Sequence, residues 1–359
     1  MNNLLSLLQQ NNKIPFHMPG HKRNAALLGN ALPYALDITE IEGFDNLQRP
    51  QGLLLNTMHR AKSLWNSHAT YLSVNGSTGA ILAAVRAMTS PGDKIIVARN
   101  CHMSVFHAIE LCSLVPAFLE PEWLPAWGIY GSVTQQAFDT ARAQHPDAAL
   151  CVLTSPTYEG ILSEITTDLP MIIDAAHGAH LPLPAGDIII HSLHKTLPAL
   201  TQTALLHVNS PRVDLERLEH NLRIFQTSSP SYLLLASIAE CVSLLEQHRT
   251  TWFPAWEQRL AAFYTHAKRW QNLALFDPCD RTKLLLRCEA KTAATLLRAR
   301  NIEPEYAHET RLLLLTSPCD TDDMMHALTA ALDNLDPKAS PITRTFPTPT
   351  PPYRWFTDS

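Results

Sequence analysis

MIIDAAHGAHLPLPAGDIIIHSLHKT, residues 171–196, decides the fold. It holds two short apolar runs, MIIDA and DIIIH, rich in β-branched Ile and bounded by polar residues, which read as buried strands rather than as a helix. Each run exits into chemistry. The first ends at Asp174; the second leads through Ser192 and His194 to Lys195, 21 residues further on. A lysine reached along an apolar strand is partly desolvated, which lowers its pKa toward that of a usable nucleophile.

The same grammar extends outward in both directions. From about residue 46 to 208 short apolar runs alternate with helical stretches: TYLSV then TGAILAAVRAM, KIIVA then SVFHAIELC, VPAFL then VTQQAFDTARAQ, followed by AALCVL, PMIIDA, DIIIH and ALLHV. This predicts a three-layer α/β/α large domain around a mostly parallel, seven-stranded sheet. Ligands in such sheets bind beyond the carboxyl ends of the strands. Residues 211–250 read as connecting helices. Residues 251–335 read as a small α/β domain with strands TKLLLRC and RLLLL, and residues 1–45 as an N-terminal arm containing PFHMPGHKRN. Residues 336–359 form a Pro-rich tail, whose stretch PITRTFPTPTPPYRWFTDS, residues 341–359, is expected to be extended on a surface or on a partner subunit. All twelve glycines fall at or before Gly186, so the tight turns and close backbone approaches belong to the first half.

With 359 residues the chain can bury a core without metals or disulfides. The net charge of −5, with dispersed Lys and Arg, gives no basic patch for nucleic acid or an anionic membrane. Seven cysteines, odd in number and without a CxxC pair, read as reduced thiols. The N-terminus lacks the features of a signal peptide, and no apolar run approaches the roughly 18 residues of a membrane span. A cytoplasmic protein acting on a small molecule is expected.

Several residues at strand exits carry chemistry. Asn75, Gly76, Ser77, Thr78 and Gly79 stand between a strand and a helix, where backbone amides and two hydroxyls can hold a phosphate; an ordinary capping turn has the same composition. His102, in RNCHMS, can stack on a planar ring or serve as a cap or core residue. Asp174 is costly to bury without a partner, which a protonated pyridine nitrogen would be; a turn or capping role is the alternative. Ala176 offers a small face beneath a ring, and His177 can donate to a phenolic oxygen. Ser192 and His194 flank Lys195 as phosphate-directed donors. His177, His180, His191 and His194 invite a metal reading, but they lack an HExxH pattern or a carboxylate cluster, so no metal is expected. A strand-exit lysine with an Asp on a nearby strand end suits pyridoxal 5'-phosphate, whose aldehyde forms a Schiff base with an amine and whose ring becomes an electron sink when its nitrogen is protonated.

In order along the chain, PFHMPGHKRN, DITEIEGFDNLQRPQG, SVNGSTGAI, RNCHMS, SPTYEG, IIDAAHGAH and HSLHKTLPALTQ resemble the Orn/Lys/Arg decarboxylase family, fold type I pyridoxal phosphate enzymes of the aspartate aminotransferase fold. The resemblance covers roughly residues 13–208, and seven matches in one order are far more specific than one motif. It implies that Lys195 carries the cofactor, Asp174 pairs with the pyridine nitrogen and His102 stacks on the ring. Ser77, Thr78, Ser192 and His194 would contact the phosphate in a cradle shaped by Gly76 and Gly79, with His177 at the phenolic oxygen. His17 and His21 would lie near a site at the boundary of a homodimer or larger oligomer. The implied reaction is decarboxylation of a basic amino acid (arginine, lysine or ornithine) to an amine; another lyase, an aminotransferase or a non-catalytic relative are the alternatives. Family members continue into a further C-terminal domain, whereas here FPTPTPPYRWFTDS, with Asp358 its one acidic residue, closes the sequence, so a short form is expected.

Overall fold

The computed structural model of the chain describes residues 4–339 and 341–348. Helices α1 (Leu4–Gln10), α2 (Ala25–Leu28) and α3 (Leu53–Trp65) precede β1 (Ala69–Ser73), α4 (Gly76–Met88), β2 (Lys94–Ala98), α5 (Met103–Leu111) and β3 (Val115–Leu119). A small hairpin of β4 (Trp123–Leu124) and β5 (Ile129–Tyr130) leads to α6 (Gln135–Gln144), β6 (Leu150–Thr154), β7 (Met171–Asp174), β8 (Ile188–Ser192), α7 (Leu193–Thr196) and β9 (Ala204–Val208). Then come α8 (Leu215–Phe225), α9 (Tyr232–Ala267), β10 (Ala274–Leu275), β11 (Lys283–Arg287), α10 (Ala290–Arg298), β12 (Tyr306–His308), β13 (Arg311–Leu315) and α11 (Asp322–Leu335).

The seven-stranded sheet has the order β1-β9-β8-β7-β6-β2-β3. Only β9 runs against its neighbours, so the carboxyl ends of β2, β6, β7 and β8 share one edge. Its central strands β7 and β8 are buried along their whole length, and β6 up to Thr154, because helices cover both faces, which is why they read as continuous apolar runs. The small residues of α4 let it pack closely: a Cβ on Gly79 would lie 2.9 Å from Asn75 Cβ and 3.3 Å from the Phe225 carbonyl oxygen at the end of α8. The α/β class with a mostly parallel seven-stranded sheet and a smaller α/β unit is therefore the observed one.

The second sheet, β10-β11-β13-β12, is antiparallel and rests on α10, α11 and the end of α9, with Trp256, Leu284, Leu286, Leu312 and Leu332 in its core. One sequence expectation is corrected here. No break falls between 250 and 251, where the sequence predicts the connecting helices to end and the small unit to begin, because α9 runs unbroken through Pro254. Proline removes one backbone bond, but Leu245 on one side is locked into the core beneath the large sheet and Trp256 on the other into the core of the second sheet. At the start of the tail Asp336–Lys338 form a 3₁₀ turn, and the Asp336 carboxylate accepts from the N–H groups of Gln271, Asn272 and Leu273. Residues 341–348 have no regular structure, and Asp358 lies outside the described residues.

Candidate active site

The shared edge of the large sheet faces the second sheet across a cavity of about 1120 Å³. Asp174 ends β7 and Lys195 lies one turn past the end of β8, its parallel neighbour. Both line this cavity, together with Ser77, His102, Ala176, His177 and His194. Residues scattered along the sequence from Ser77 to Lys195 thus meet at one place.

Lys195 Nζ lies 2.9 Å from Nε2 of His177. Burial lowers the Lys195 pKa, opposed by the charges of Asp174 and Glu305. Burial, then the charges of Lys195 and Lys283, hold His177 well below the ordinary imidazole value, so it is neutral and Nε2 accepts from Lys195. That bond assigns the ring proton to Nδ1, a buried donor with no partner in the protein. Asp174 is 3% exposed; its Oδ1 accepts from the Ala176 N–H at 3.2 Å. Burial raises its pKa, opposed by the charge of Lys195, the Ala176 N–H and His102.

His102 caps α5, its Nδ1 accepting from the Ser104 N–H at 3.2 Å, while the residue still lines the cavity; burial lowers its pKa. Gly76 takes a positive φ of 68° and opens α4, whose N-cap Asn75 makes no side-chain capping bond. The N–H groups of Ser77 and Thr78 belong to the first turn, which a helix leaves without internal acceptors. Ser192 is fully buried, and its hydroxyl donates to Ser77 Oγ at 2.9 Å. Thr78 is exposed and is not among the residues lining the cavity. His194 Nδ1 lies 3.0 Å from the Thr203 carbonyl, and burial lowers its pKa.

The four histidines of the metal reading diverge. His177 and His194 line the cavity, His180 pairs with Asp280 at 3.1 Å, and His191 packs against His207 inside the sheet. Among the described residues no group of three His, Cys, Asp or Glu could hold a metal. His17 and His21 stand apart: His17 Nδ1 contacts the Met18 carbonyl, and His21 Nε2 pairs with Asp37 at 3.0 Å.

Other cavity residues escaped the sequence reading. Tyr158, in SPTYEG, packs with its ring centroid 4.6 Å from that of His177 at a tilt of 54° and donates to Glu305 at the foot of β12. Thr154 and Asn100 each bring a buried oxygen without a protein partner. Phe346 of the tail closes the cavity's rim, its N–H donating to the Pro125 carbonyl at 2.9 Å and its carbonyl accepting from Trp123 Nε1 at 3.0 Å. Thr154 has a strand-end signal like that of Asp174. Glu305 and Phe346 have none, because they reach the site through tertiary packing.

Comparison with known proteins places this geometry. The protein YaaO of Bacillus subtilis, itself uncharacterized, is 33% identical over 342 residues, covering 85% of this chain and 71% of YaaO. The arginine decarboxylase of the same species is 36% identical over 251 residues, 63% of this chain and 51% of the enzyme, so the chain spans about half of that relative. Among solved structures, the lysine decarboxylase LdcF of Francisella novicida superposes with a TM-score of 0.81 at 18% identity, over 92% of this chain and 59% of LdcF. A structure of SPT with PLP superposes at 0.63 and 11% identity, over 82% of this chain and 80% of SPT. The fold is that of the fold type I pyridoxal phosphate enzymes. A sequence profile of the Orn/Lys/Arg decarboxylase major domain matches residues 2–281, and the chain belongs to the Orn/Lys/Arg decarboxylase family.

Proposed function

We propose that this protein is a pyridoxal phosphate-dependent decarboxylase of a basic amino acid, with Lys195 as the lysine that carries the cofactor. The observation that carries this reading is the placement of Lys195 and Asp174 on adjacent strand ends of one cavity, with a neutral His177 accepting from the lysine. The residues present fit the cofactor. His177 Nδ1 and Thr154 Oγ1 are buried without protein partners, as polar groups awaiting a ligand are, and the uncapped first turn of α4 suits a phosphate.

Bound there, the cofactor would supply the electron sink that side chains lack. Asp174 would face the ring nitrogen and hold a proton on it, which in turn pairs the buried carboxylate. His102 and Ala176 would fix the ring plane from its two faces, and His177 would donate from Nδ1 to the phenolic oxygen. Ser77 and His194 would contact the phosphate, Ser192 holding the Ser77 hydroxyl and Thr78 offering its first-turn N–H, with Gly76 and Gly79 shaping the cradle. The residues around the cofactor would also have to orient the scissile bond of the substrate for that electron sink. Lys195, with a lowered pKa and a neutral base at 2.9 Å, is suited to return a proton to the substrate carbon. Glu305 lines the cavity within electrostatic reach of Lys195, giving its wall the charge that a distal ammonium or guanidinium needs. The large unit of residues 46–210 would carry the cofactor and the small unit of 251–335 would close over the substrate.

The test is a spectrum followed by a product screen. Purified protein given pyridoxal phosphate should develop a visible band, and borohydride should fix the cofactor on the peptide containing Lys195. No band, with a spectrum unchanged by borohydride and by Lys195→Ala, would sink the reading. Arginine, lysine and ornithine are then offered singly. Carbon dioxide with the matching amine supports the decarboxylase; ketoacid without carbon dioxide identifies an aminotransferase, and cofactor binding without product a non-catalytic relative.

A further inference from the structure

We propose that the buried cluster Lys283–Asp280–His180 positions His177 against Lys195, so that the second sheet holds the partner of the reactive lysine in place. Lys283 opens β11, where the sequence reads as a plain apolar strand, yet its side chain and that of Asp280 are each only 1% exposed. Its three ammonium protons have three acceptors: Asp280 Oδ2 at 2.7 Å, Thr282 Oγ1 at 2.9 Å and the His177 carbonyl at 2.8 Å. Asp280 Oδ1 accepts from the Thr282 N–H at 3.1 Å and faces His180 Nε2 at 3.1 Å. The Asp280 N–H also donates to the Gly160 carbonyl at 2.9 Å. The cluster therefore ties β11 to two loops of the large sheet.

A buried ion pair is a poor source of stability, since apolar residues of similar volume usually serve as well. What an apolar pair cannot do is bind one carbonyl at one point. His177 is gripped at both ends, its carbonyl by Lys283 and its ring by Lys195, which leaves the imidazole little freedom to turn away. The charge of Lys283 also helps burial keep that imidazole neutral and so able to accept. The other titratable groups facing Lys195 are Asp174, His102, His194 and Glu305, and the three protons of Lys283 go to the His177 carbonyl, Asp280 and Thr282 instead.

The consequence for turnover rests on the proposed role of Lys195, so the test is made on the full chain stripped of cofactor. The rate of Lys195 acetylation by acetic anhydride is followed against pH by peptide mass spectrometry, with hydrogen exchange of residues 175–180 alongside. Lys283→Met releases the His177 carbonyl and should speed exchange in that loop several-fold. Loss of the Lys283 charge raises the Lys195 midpoint whereas loss of the His177 acceptor lowers it, so the midpoint shift is compared with that of the same substitution in a His177→Ala background, where only the charge acts. Leu312→Ala, which opens a cavity in the same sheet away from His177, should lower the melting temperature and leave the loop exchange and the midpoint alone. Unaltered exchange of residues 175–180 in Lys283→Met, an equal rise in exchange in Leu312→Ala, or the same midpoint shift with and without His177 overturns the proposal. If Lys283→Met does not fold, the double variant Lys283→Met/Asp280→Asn, which leaves no unpaired charge, decides by loop exchange: unaltered protection of residues 175–180 overturns it. Wild-type protein that shows the low midpoint but takes up no cofactor counts against the proposed function alone.

Discussion

Asp174 shows how much of the chemistry resides in single residues. Its carboxylate is buried with one backbone hydrogen bond, so its charge depends on what faces it: burial pushes the pKa up, and Lys195 and the Ala176 N–H pull it back. On the proposed reading, neutralising it should harm the reaction more than the binding, because the phosphate contacts and Lys195 would hold the cofactor independently of the ring nitrogen. Asp174→Ala is expected to lower kcat by roughly 100-fold or more while weakening cofactor affinity by much less, measured by turnover and by cofactor titration. Residues of this kind were legible in the sequence because they sit at strand exits, where apolar runs stop at a polar group. Lys283 was not. A lysine beginning a strand is ordinarily at the surface, and only the fold shows that Asp280, Thr282 and the His177 carbonyl consume all its protons.

Two elements make the fold sensitive to acid and to added volume. His191 on β8 and His207 on β9 lie with ring centroids 4.9 Å apart at full burial, and neither ring nitrogen of His191 has a partner. Burial holds His191 well below the ordinary imidazole value and lowers His207 to about 3. Above about pH 6.5 both are neutral in the folded and unfolded chain and contribute nothing. Below it the unfolded chain takes up protons that the folded chain refuses, so stability falls as pH falls toward the folded values. His191→Leu should remove one such proton, making the variant about 2 kcal/mol less acid-sensitive between pH 7 and pH 5 in urea melts. Gly160 is a second fixed point, with φ of +88° and room for no Cβ: one would lie 2.5 Å from the Asp280 carbonyl oxygen. Gly160→Ala should destabilise by about 3 kcal/mol in the same assay, since backbone meets backbone there. At this scale the large sheet was legible because its strands are unbroken apolar runs with helices between them. The continuity of α9 was not, because the cost of Pro254 is visible in sequence whereas the two cores that pin the helix on either side exist only after folding.

On the scale of the whole molecule the arm is rooted at both ends, with Ile38 and Phe44 in the same core as Leu4 and Leu8, and bare between them. Leu4 and Leu8 of α1 are buried in the core that includes α9, but Ile14 is 81%, Phe16 95% and Leu27 80% exposed on a single chain. Apolar side chains grouped so densely on one segment are costly to leave in water and mark a surface that another molecule covers. A second copy of this chain is the occupant that the family resemblance implies, with PFHMPGHKRN delivered toward the partner's cavity. The purified protein should therefore sediment as a dimer or larger assembly. Replacing Ile14 and Phe16 together by Ser should shift it toward monomer without lowering its melting temperature when compared at equal monomer content, because neither side chain contributes to the core. If the arm completes the neighbouring site, kcat/KM should fall in step with the monomer fraction and recover as protein concentration is raised. A monomeric wild type, or a monomeric variant of full activity, would show that each chain is self-sufficient and that the exposed arm serves some other contact.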